Sequence, residues 1–288
     1  MKRLFFVLIF VFAGLSVKAT GQMADYVFVD GEEWYLLGRP IWADTILYFG
    51  VRASFQGAYC ESTGNWDGFV AYWSIMDGLI ILDSIKFLNA NKNCEFDKLP
   101  DSVLQKVFKK YYVKGRIVAG WVNGTLRLAK GNMIYYFHGG FLRNYETEMH
   151  ITVERGRVVE TKLFNNRVAE DGFAFEDLQQ EYWDSLSFSF RHFANSYREL
   201  DSVNRFYVEI DDIDIDSTGH LNDVPKVKVH LVQGNRERVP ETVIEQLEQE
   251  FKKMLMAIPK WKVYCINGKY GTPYHGWTMP IRLKINNE

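Results

Sequence analysis

From Tyr26 to about Arg167, apolar and polar residues alternate in short runs broken by turn dipeptides. Asp30-Gly31 separates Tyr26–Val29 from Glu33–Leu37, and Asp77-Gly78 separates Phe69–Met76 from Leu79–Ile85. Asn123-Gly124 separates Arg116–Val122 from Thr125–Ala129, and Arg155-Gly156 separates Glu148–Glu154 from Arg157–Leu163. Such dipeptides tolerate the positive φ of tight hairpin turns. Their flanks are β-branched and aromatic, as a half-buried pleated surface prefers. One segment departs from this pattern. From Pro100 to Tyr112, the residues Val103, Leu104, Val107, Phe108 and Tyr111 share a helical face. Residues 23–170 therefore read as an antiparallel β-rich domain with a single covering helix.

Beyond it the period changes. Leu178, Tyr182, Leu186, Phe190, Phe193, Tyr197 and Leu200 recur at three- and four-residue steps, a helical stripe that predicts a connecting helix over 173–202. The remainder, 203–288, reads strand, turn, strand, helix, strand. Arg205 to Ile215 alternates, Ser217-Thr218-Gly219 turns, and Lys226–Val232 is a second strand. Pro240 opens a helix where its missing N–H costs nothing, and Pro259 stops it. Its buried face is Val243, Ile244, Leu247, Phe251, Leu255 and Ile258, and Met279–Ile285 is the last strand. The fold class expected is α+β: a β-rich domain followed by a small α+β domain.

The first residues have a different logic. Lys2 and Arg3 precede an apolar run from Leu4 to Val17, closed by Val17-Lys18-Ala19. This is the plan of a secretory signal over 1–19; the run is shorter than the ~20 residues that cross a bilayer. An uncleaved anchor is the competing reading. Cleavage after Ala19 removes Lys2, Arg3 and Lys18 and no acid, taking the net charge from −2 to −5. The expected location is periplasmic or secreted. Export permits disulfides. Of Cys60, Cys94 and Cys265, the first two lie in the same half and are the favoured pair; three buried thiols are the alternative.

Composition bounds the class. With 47% hydrophobic and 24% charged residues the chain is ordinary globular material, which excludes a disordered chain, a collagen or a coiled coil. Lys+Arg 34 against Asp+Glu 36 gives no excess of positive charge for nucleic acid.

The C-terminal third carries a resemblance. Ile258-Pro259-Lys260-Trp261-Lys262 is followed by Asn267-Gly268-Lys269 and then by Met279-Pro280-Ile281-Arg282-Leu283-Lys284-Ile285. Upstream stands Asp216-Ser217-Thr218-Gly219-His220-Leu221-Asn222-Asp223-Val224. In order and spacing, Val203–Ile285 resembles the C-terminal domain of TonB-type proteins in the form common in Bacteroidota. That family has an Asp-x-x-Gly turn between its first strands, a helix ending in Pro-Lys-Trp-Lys, an Asn-Gly-Lys hairpin and a last strand of the type Leu-Pro-Ile-x-Phe. The resemblance implies a module that takes up an extended peptide from an outer-membrane transporter along an exposed sheet edge. Trp261, Ile281, Arg282, Leu283 and Lys284 are the partner-binding residues it indicates. Strand addition works through main-chain hydrogen bonds and needs no catalytic side chain. Seven basic residues follow Glu250 (Lys252, Lys253, Lys260, Lys262, Lys269, Arg282, Lys284) against one acid, Glu288, a balance that suits an acidic peptide. A solvated surface with edge-protecting lysines is the plain alternative. Energy-coupling members carry a membrane helix and a long spacer; here a folded β domain stands in that place, which points to a stand-alone adaptor. The hairpin Gly64-Asn65-Trp66-Asp67-Gly68-Phe69-Val70-Ala71-Tyr72-Trp73, followed by Leu79–Ile85, resembles hairpins of exported bacterial β-rich domains. That likeness implies a fold and no chemistry.

Other chemistry is thin. Asp212, Asp214 and Asp216 would share a face if their segment were a strand, a cation-friendly cluster or a solvent face opposite Lys226 and Lys228. His138-Gly139-Gly140 resembles an oxyanion-hole loop, but no Gly-x-Ser-x-Gly elbow accompanies it. No metal-binding Cys/His spacing, phosphate loop or dinucleotide fingerprint is present. No cofactor or metal is expected. Trp34, Trp42, Trp66, Trp73 and Trp121 sit in the β domain, where they are either core or a glycan-binding platform. The reading is a non-enzymatic periplasmic binding or adaptor protein. Its alternative is an exported glycan- or ligand-binding protein whose C-terminal module is structural only.

Overall fold

The computed structural model describes residues 21–60, 62–136, 139–169, 171–174, 189–200, 203, 205–211, 213–231, 239–271 and 277–282, without the side chains of 205 and 277–282. The fold is α+β and rich in strands. The chain forms two compact units, which divide between Leu163 and Phe164.

The N-terminal unit is built on one curved sheet. Its strands are β1 (Asp25–Val29), β2 (Glu32–Leu36), β3 (Phe69–Met76), β4 (Leu79–Asn89), β5 (Glu95–Lys98), β6 (Tyr112–Val113), β7 (Arg116–Val118), β8 (Gly124–Tyr136), β9 (Arg143–Glu154) and β10 (Arg157–Asn165). The main path runs β10-β9-β8-β2-β1-β3-β4-β7-β6, and β5 adds to β4. Arg157 of β10 also pairs with Leu79 of β4, so the sheet closes on itself at one residue pair. Three of the four dipeptides turn as expected. Asp30, Asp77 and Arg155 all have φ near +50°, each followed by a glycine at positive φ. A residue before each glycine that tolerates the left-handed region gives the two-residue hairpin its twist.

Four expectations need correction. The Asn123-Gly124 segment is not a hairpin, because β7 pairs with β4 and β6 while β8 pairs with β2 and β9. Asn123 instead accepts the Arg155 amide on its side-chain oxygen; Lys114-Gly115 makes the neighbouring reversal, joining β6 to β7. The sheet is not wholly antiparallel, since β1 lies parallel to β3. A parallel pair needs a crossover, and that crossover contains a second helix, α1 (Thr45–Ser54), beside the expected α2 (Asp101–Val107). Asp44 caps α1 by accepting the amides of Ile46 and Leu47. The boundary near 170 moves to Leu163/Phe164, because β11 (Arg167–Val168) pairs with a strand of the C-terminal unit.

Large side chains fill the interior of the ring. Trp34, Trp73 and Trp121 are buried, the last packed at an angle among Phe108, Tyr111 and Trp73 and donating its indole N–H to the Pro40 carbonyl. Cys60 and Cys94 form a disulfide, and Cys265 is a free thiol. The bridge ties the loop after α1 to the turn between β4 and β5 across 34 residues. Closing a loop of that size removes roughly 2–4 kcal/mol of chain entropy from the unfolded state. Cys60→Ala with Cys94→Ala is accordingly expected to lower the urea midpoint of the N-terminal unit by an amount equivalent to about 3 kcal/mol. An unchanged midpoint would show that the bridge constrains nothing.

The C-terminal unit holds two small sheets. One is β13-β12-β16, from β12 (Arg205–Asp211), β13 (Lys226–Leu231) and β16 (Trp277–Arg282); all pairs are antiparallel and β12 is central. The other is β11-β14-β15, from β14 (Tyr264–Ile266) and β15 (Lys269–Gly271), joined by Asn267-Gly268 at positive φ. Helix α3 (Glu241–Met256) buries Val243, Ile244, Leu247, Phe251 and Leu255 against Phe206, Val208, Ile210, Val227 and Val229. The coarse expectation of a helix on a small antiparallel sheet is met. The connecting helix is only partly described: 175–188 and 201–202 lie outside the described residues. Residues 189–194 are helical, then the chain turns at Asn195–Tyr197 into a 3-10 turn (Arg198–Leu200). The stripe therefore does not continue as one helix; Phe190, Ala194 and Leu200 instead fold into the core of this unit. Among the described residues no helix is long and apolar enough to cross a membrane.

Candidate functional site

The expected site lies on the last strand. β12 pairs in register with both neighbours, Tyr207 standing opposite His230 on one side and opposite Pro280 on the other. Backbone polarity follows from one contact. The Val229 amide donates to Glu248 Oε1 of α3 (3.0 Å), so it points away from β12. The Val208/Val229 pair is then not hydrogen-bonded, and Val208 directs its N–H and C=O toward β16. By alternation, Trp277, Met279 and Ile281 bond inward to β12, while the backbone groups of Thr278, Pro280 and Arg282 face outward. Pro280 thus sits where its missing N–H breaks nothing in the existing ladder.

The two rims of this sheet differ. On β13, Glu248 of α3 satisfies the outward amide of Val229. On β16 no further strand pairs among the described residues. Its outward face offers carbonyls at 278, 280 and 282 and amides at 278 and 282.

The predicted partner-binding residues fare differently. Ile281 and Arg282 are on β16 by backbone position. Leu283 and Lys284 lie outside the described residues. Trp261 is a correction: its side chain is 1% exposed and packs edge-on against Phe173 at 5.2 Å, so it is core and cannot touch a guest. Its backbone is just as confined. The Trp261 amide donates to the Gly219 carbonyl, and Phe173 bridges to the same segment through Lys260 and Lys262. Gly172 and Gly219, both at positive φ, press on it from either side; a Cβ on Gly219 would stand 2.4 Å from the Trp261 oxygen.

The acidic stretch is likewise structural. β12 ends at Asp211, so the alternation does not run to Asp216, and Asp212 lies outside the described residues. Asp216 accepts the amides of Thr218 and His220 and the Thr218 hydroxyl on one oxygen. These bonds, the Thr218 hydroxyl foremost, hold its pKa down to about 2. Asp211 stands opposite Lys226 and Glu209 opposite Lys228. Among the described residues no cluster of His, Cys, Asp or Glu could hold a metal. His138 lies outside the described residues. Of the basic group, Lys260 pairs with Asp171 and Lys253 with Glu250, which leaves a weaker field than the sequence count implies.

The N-terminal unit contains a cluster that sequence reasoning did not single out. Arg39 is buried and ion-paired to Asp25 and to Asp67, the latter through Nε at 2.9 Å. Asp25 also accepts the Ala71 amide and the Trp73 indole N–H, both at 3.0 Å. Burial pushes the Asp25 carboxyl up, and Arg39 opposes that rise. Asp67 takes the Trp42 indole N–H at 3.1 Å and the Tyr48 hydroxyl at 3.2 Å. A third buried carboxylate, Glu148, accepts from Arg127, Asn144 and the Tyr145 amide. Each carboxylate is surrounded by donors of the chain itself, which suits a clamp rather than proton transfer to a bound substrate. The available sequence signal was charge inside otherwise apolar strands and turns.

Just outside that clamp is a pocket of about 320 Å³ lined by Tyr59, Ser62, Thr63, Asn65 and Trp66. Trp42 and Trp66 are 49% and 70% exposed, unlike the three buried tryptophans of this unit. Comparison of the chain with family models, curated proteins and solved structures finds no match.

Proposed function

We propose a non-enzymatic binding or adaptor protein of the periplasm whose C-terminal unit captures an extended peptide as a fourth strand beside β16. The observation that carries this reading is the asymmetry of the rims: Glu248 of α3 takes the outward Val229 amide of β13, and β16 has no partner strand among the described residues. A strand edge of three outward carbonyls and two amides is enough to hold a guest backbone. The resemblance to TonB C-terminal domains makes an outer-membrane transporter segment the guest. The periplasmic address rests on the leader-like N-terminus, and the Cys60–Cys94 bridge is consistent with export.

The test is a titration of the full chain with a fluorescent, acidic, extended peptide of roughly ten residues, a length that matches a strand. Binding is expected together with slowed exchange of the Thr278 and Arg282 amides. N-methylation of the peptide at alternate positions should abolish it. Pro280→Ala supplies the missing outward N–H, and one added hydrogen bond of about 0.5–1.5 kcal/mol should tighten binding by roughly two- to tenfold. Equal affinity for parent and methylated peptides, or no binding at all, rejects strand addition.

A further inference from the structure

A second binding site is written into the other unit. The described side chains lining the pocket at Tyr59, Ser62, Thr63, Asn65 and Trp66 comprise two aromatic rings, two hydroxyls and one amide, with no charged group among them. Its volume is in the range of small-ligand sites. A cation beside the pocket is already engaged: Arg52 lies over the Tyr59 ring at 4.8 Å and donates to the Tyr59 hydroxyl and to the carbonyls of Trp66 and Asp67. An anion therefore finds no free positive partner here. A purely apolar ligand would leave the Asn65 amide still without a partner.

Two further observations point to a ligand. Asn65 is 2% exposed, and neither its amide nitrogen nor its amide oxygen has a hydrogen-bond partner. Burying such groups unpaired is costly, of the order of 1–3 kcal/mol each, and an orphan in a folded protein calls for an explanation. Trp66, by contrast, holds a large ring 70% in solvent at the pocket's edge. The loop that presents both is held firmly. Gln22 accepts the Trp66 amide and donates to the Thr63 carbonyl, Met23 donates to Gly64, and the disulfide at Cys60 ties the loop to the turn between β4 and β5. A platform fixed before binding loses little entropy on binding.

We infer that this pocket binds a neutral saccharide. A sugar ring offers an apolar C–H face to the Trp66 indole and hydroxyls to an amide and to the Ser62 hydroxyl. In the bound state Asn65 turns its amide to the sugar and gains the partner it lacks. The site is independent of β16, so its failure and the failure of strand addition are separate results.

The experiment is calorimetric and fluorescence titration of the full chain with three neutral disaccharides: cellobiose, maltose and N,N′-diacetylchitobiose. At least one should bind with Kd of about 1 mM or tighter, a weak but measurable affinity. Trp66→Ala should weaken it roughly tenfold or more, as the loss of an aromatic anchor does, with Tm unchanged because the ring is exposed. Asn65→Ala should also weaken binding while leaving Tm unchanged or raised, since removing an unpaired buried amide relieves a cost. A merely structural Asn65 would lower Tm and leave affinity alone, which overturns the assignment. So does silence of all three sugars up to about 10 mM, a concentration well above the expected Kd, or an unchanged affinity in Trp66→Ala.

Discussion

Arg39→Met is expected to destabilise the N-terminal unit by about 3–5 kcal/mol at neutral pH, the cost of leaving a buried charge without its counter-charge. Asp25 is fully buried, and with Arg39 gone only the Ala71 amide and the Trp73 indole remain to hold its charge. The loss should shrink as the pH falls. A carboxyl whose folded pKa is raised favours the protonated form of the folded state. Its contribution is thus greatest below the unfolded value near 3.8 and is lost as pH rises through the folded value. Removing Arg39 raises that folded value further, so the gap between wild type and Arg39→Met should be wide at pH 7 and narrower near pH 5. Adding Asp25→Asn to Arg39→Met should recover part of the loss at pH 7. Urea titrations of the wild type and the two variants at both pH values measure this; a gap that does not change with pH would mean that Asp25 is not the group left stranded.

The second large effect concerns the backbone around Trp261. Gly219→Ala is expected to cost the C-terminal unit about 3 kcal/mol or more, combining a left-handed conformation unfavourable to a side chain with overpacking. The residue sits at φ +93°, and the new Cβ would stand 2.4 Å from the Trp261 oxygen and 3.0 Å from Lys260 Cγ. The opposing atom is backbone, and its segment is fixed by the Trp261 amide donating to Gly219 and by the bonds of Lys260 and Lys262 to Phe173, so it cannot withdraw. Gly268→Ala is the natural control: it also has positive φ, but nothing lies within 4 Å of its would-be Cβ. It should cost only the conformational part, about 1–2 kcal/mol. Equal losses at the two positions would show that the close approach to Trp261 is not what makes Gly219 special.

The parts of this fold legible in the sequence are those governed by local rules. Asp30-Gly31, Asp77-Gly78, Arg155-Gly156 and Asn267-Gly268 reverse the chain because each pair can hold two positive φ values. Helix α3 is readable because Val243, Ile244, Leu247, Phe251 and Leu255 keep one face between two prolines. What stayed hidden depends on distant partners. Helix α1 exposes Ile46 and Phe49 and buries Leu47 and Val51, so its apolar residues do not form a single stripe. The parallel pairing of β1 with β3 leaves no mark in either strand. Trp261 could have been platform or core from its position after Pro259; only its burial and its packing on Phe173 show that it is core. At the candidate edge, Pro280 was readable as an edge residue, but the capping of the opposite rim by Glu248 was not, because it joins a helix to a strand 19 residues away.

The seam of the N-terminal ring has a kinetic meaning. Leu79 and Arg157 meet there at one pair, Gly156 and Gly78 each accept an amide across it, and the joined segments are about 80 residues apart in sequence. Bringing such distant segments together costs loop entropy before any contact repays it. The hairpins on either side are local, whereas the clasp, like the pairing of Tyr35 with Ala129, joins distant segments and carries that cost. A sheet left unclasped would present two unpaired strand borders to other chains.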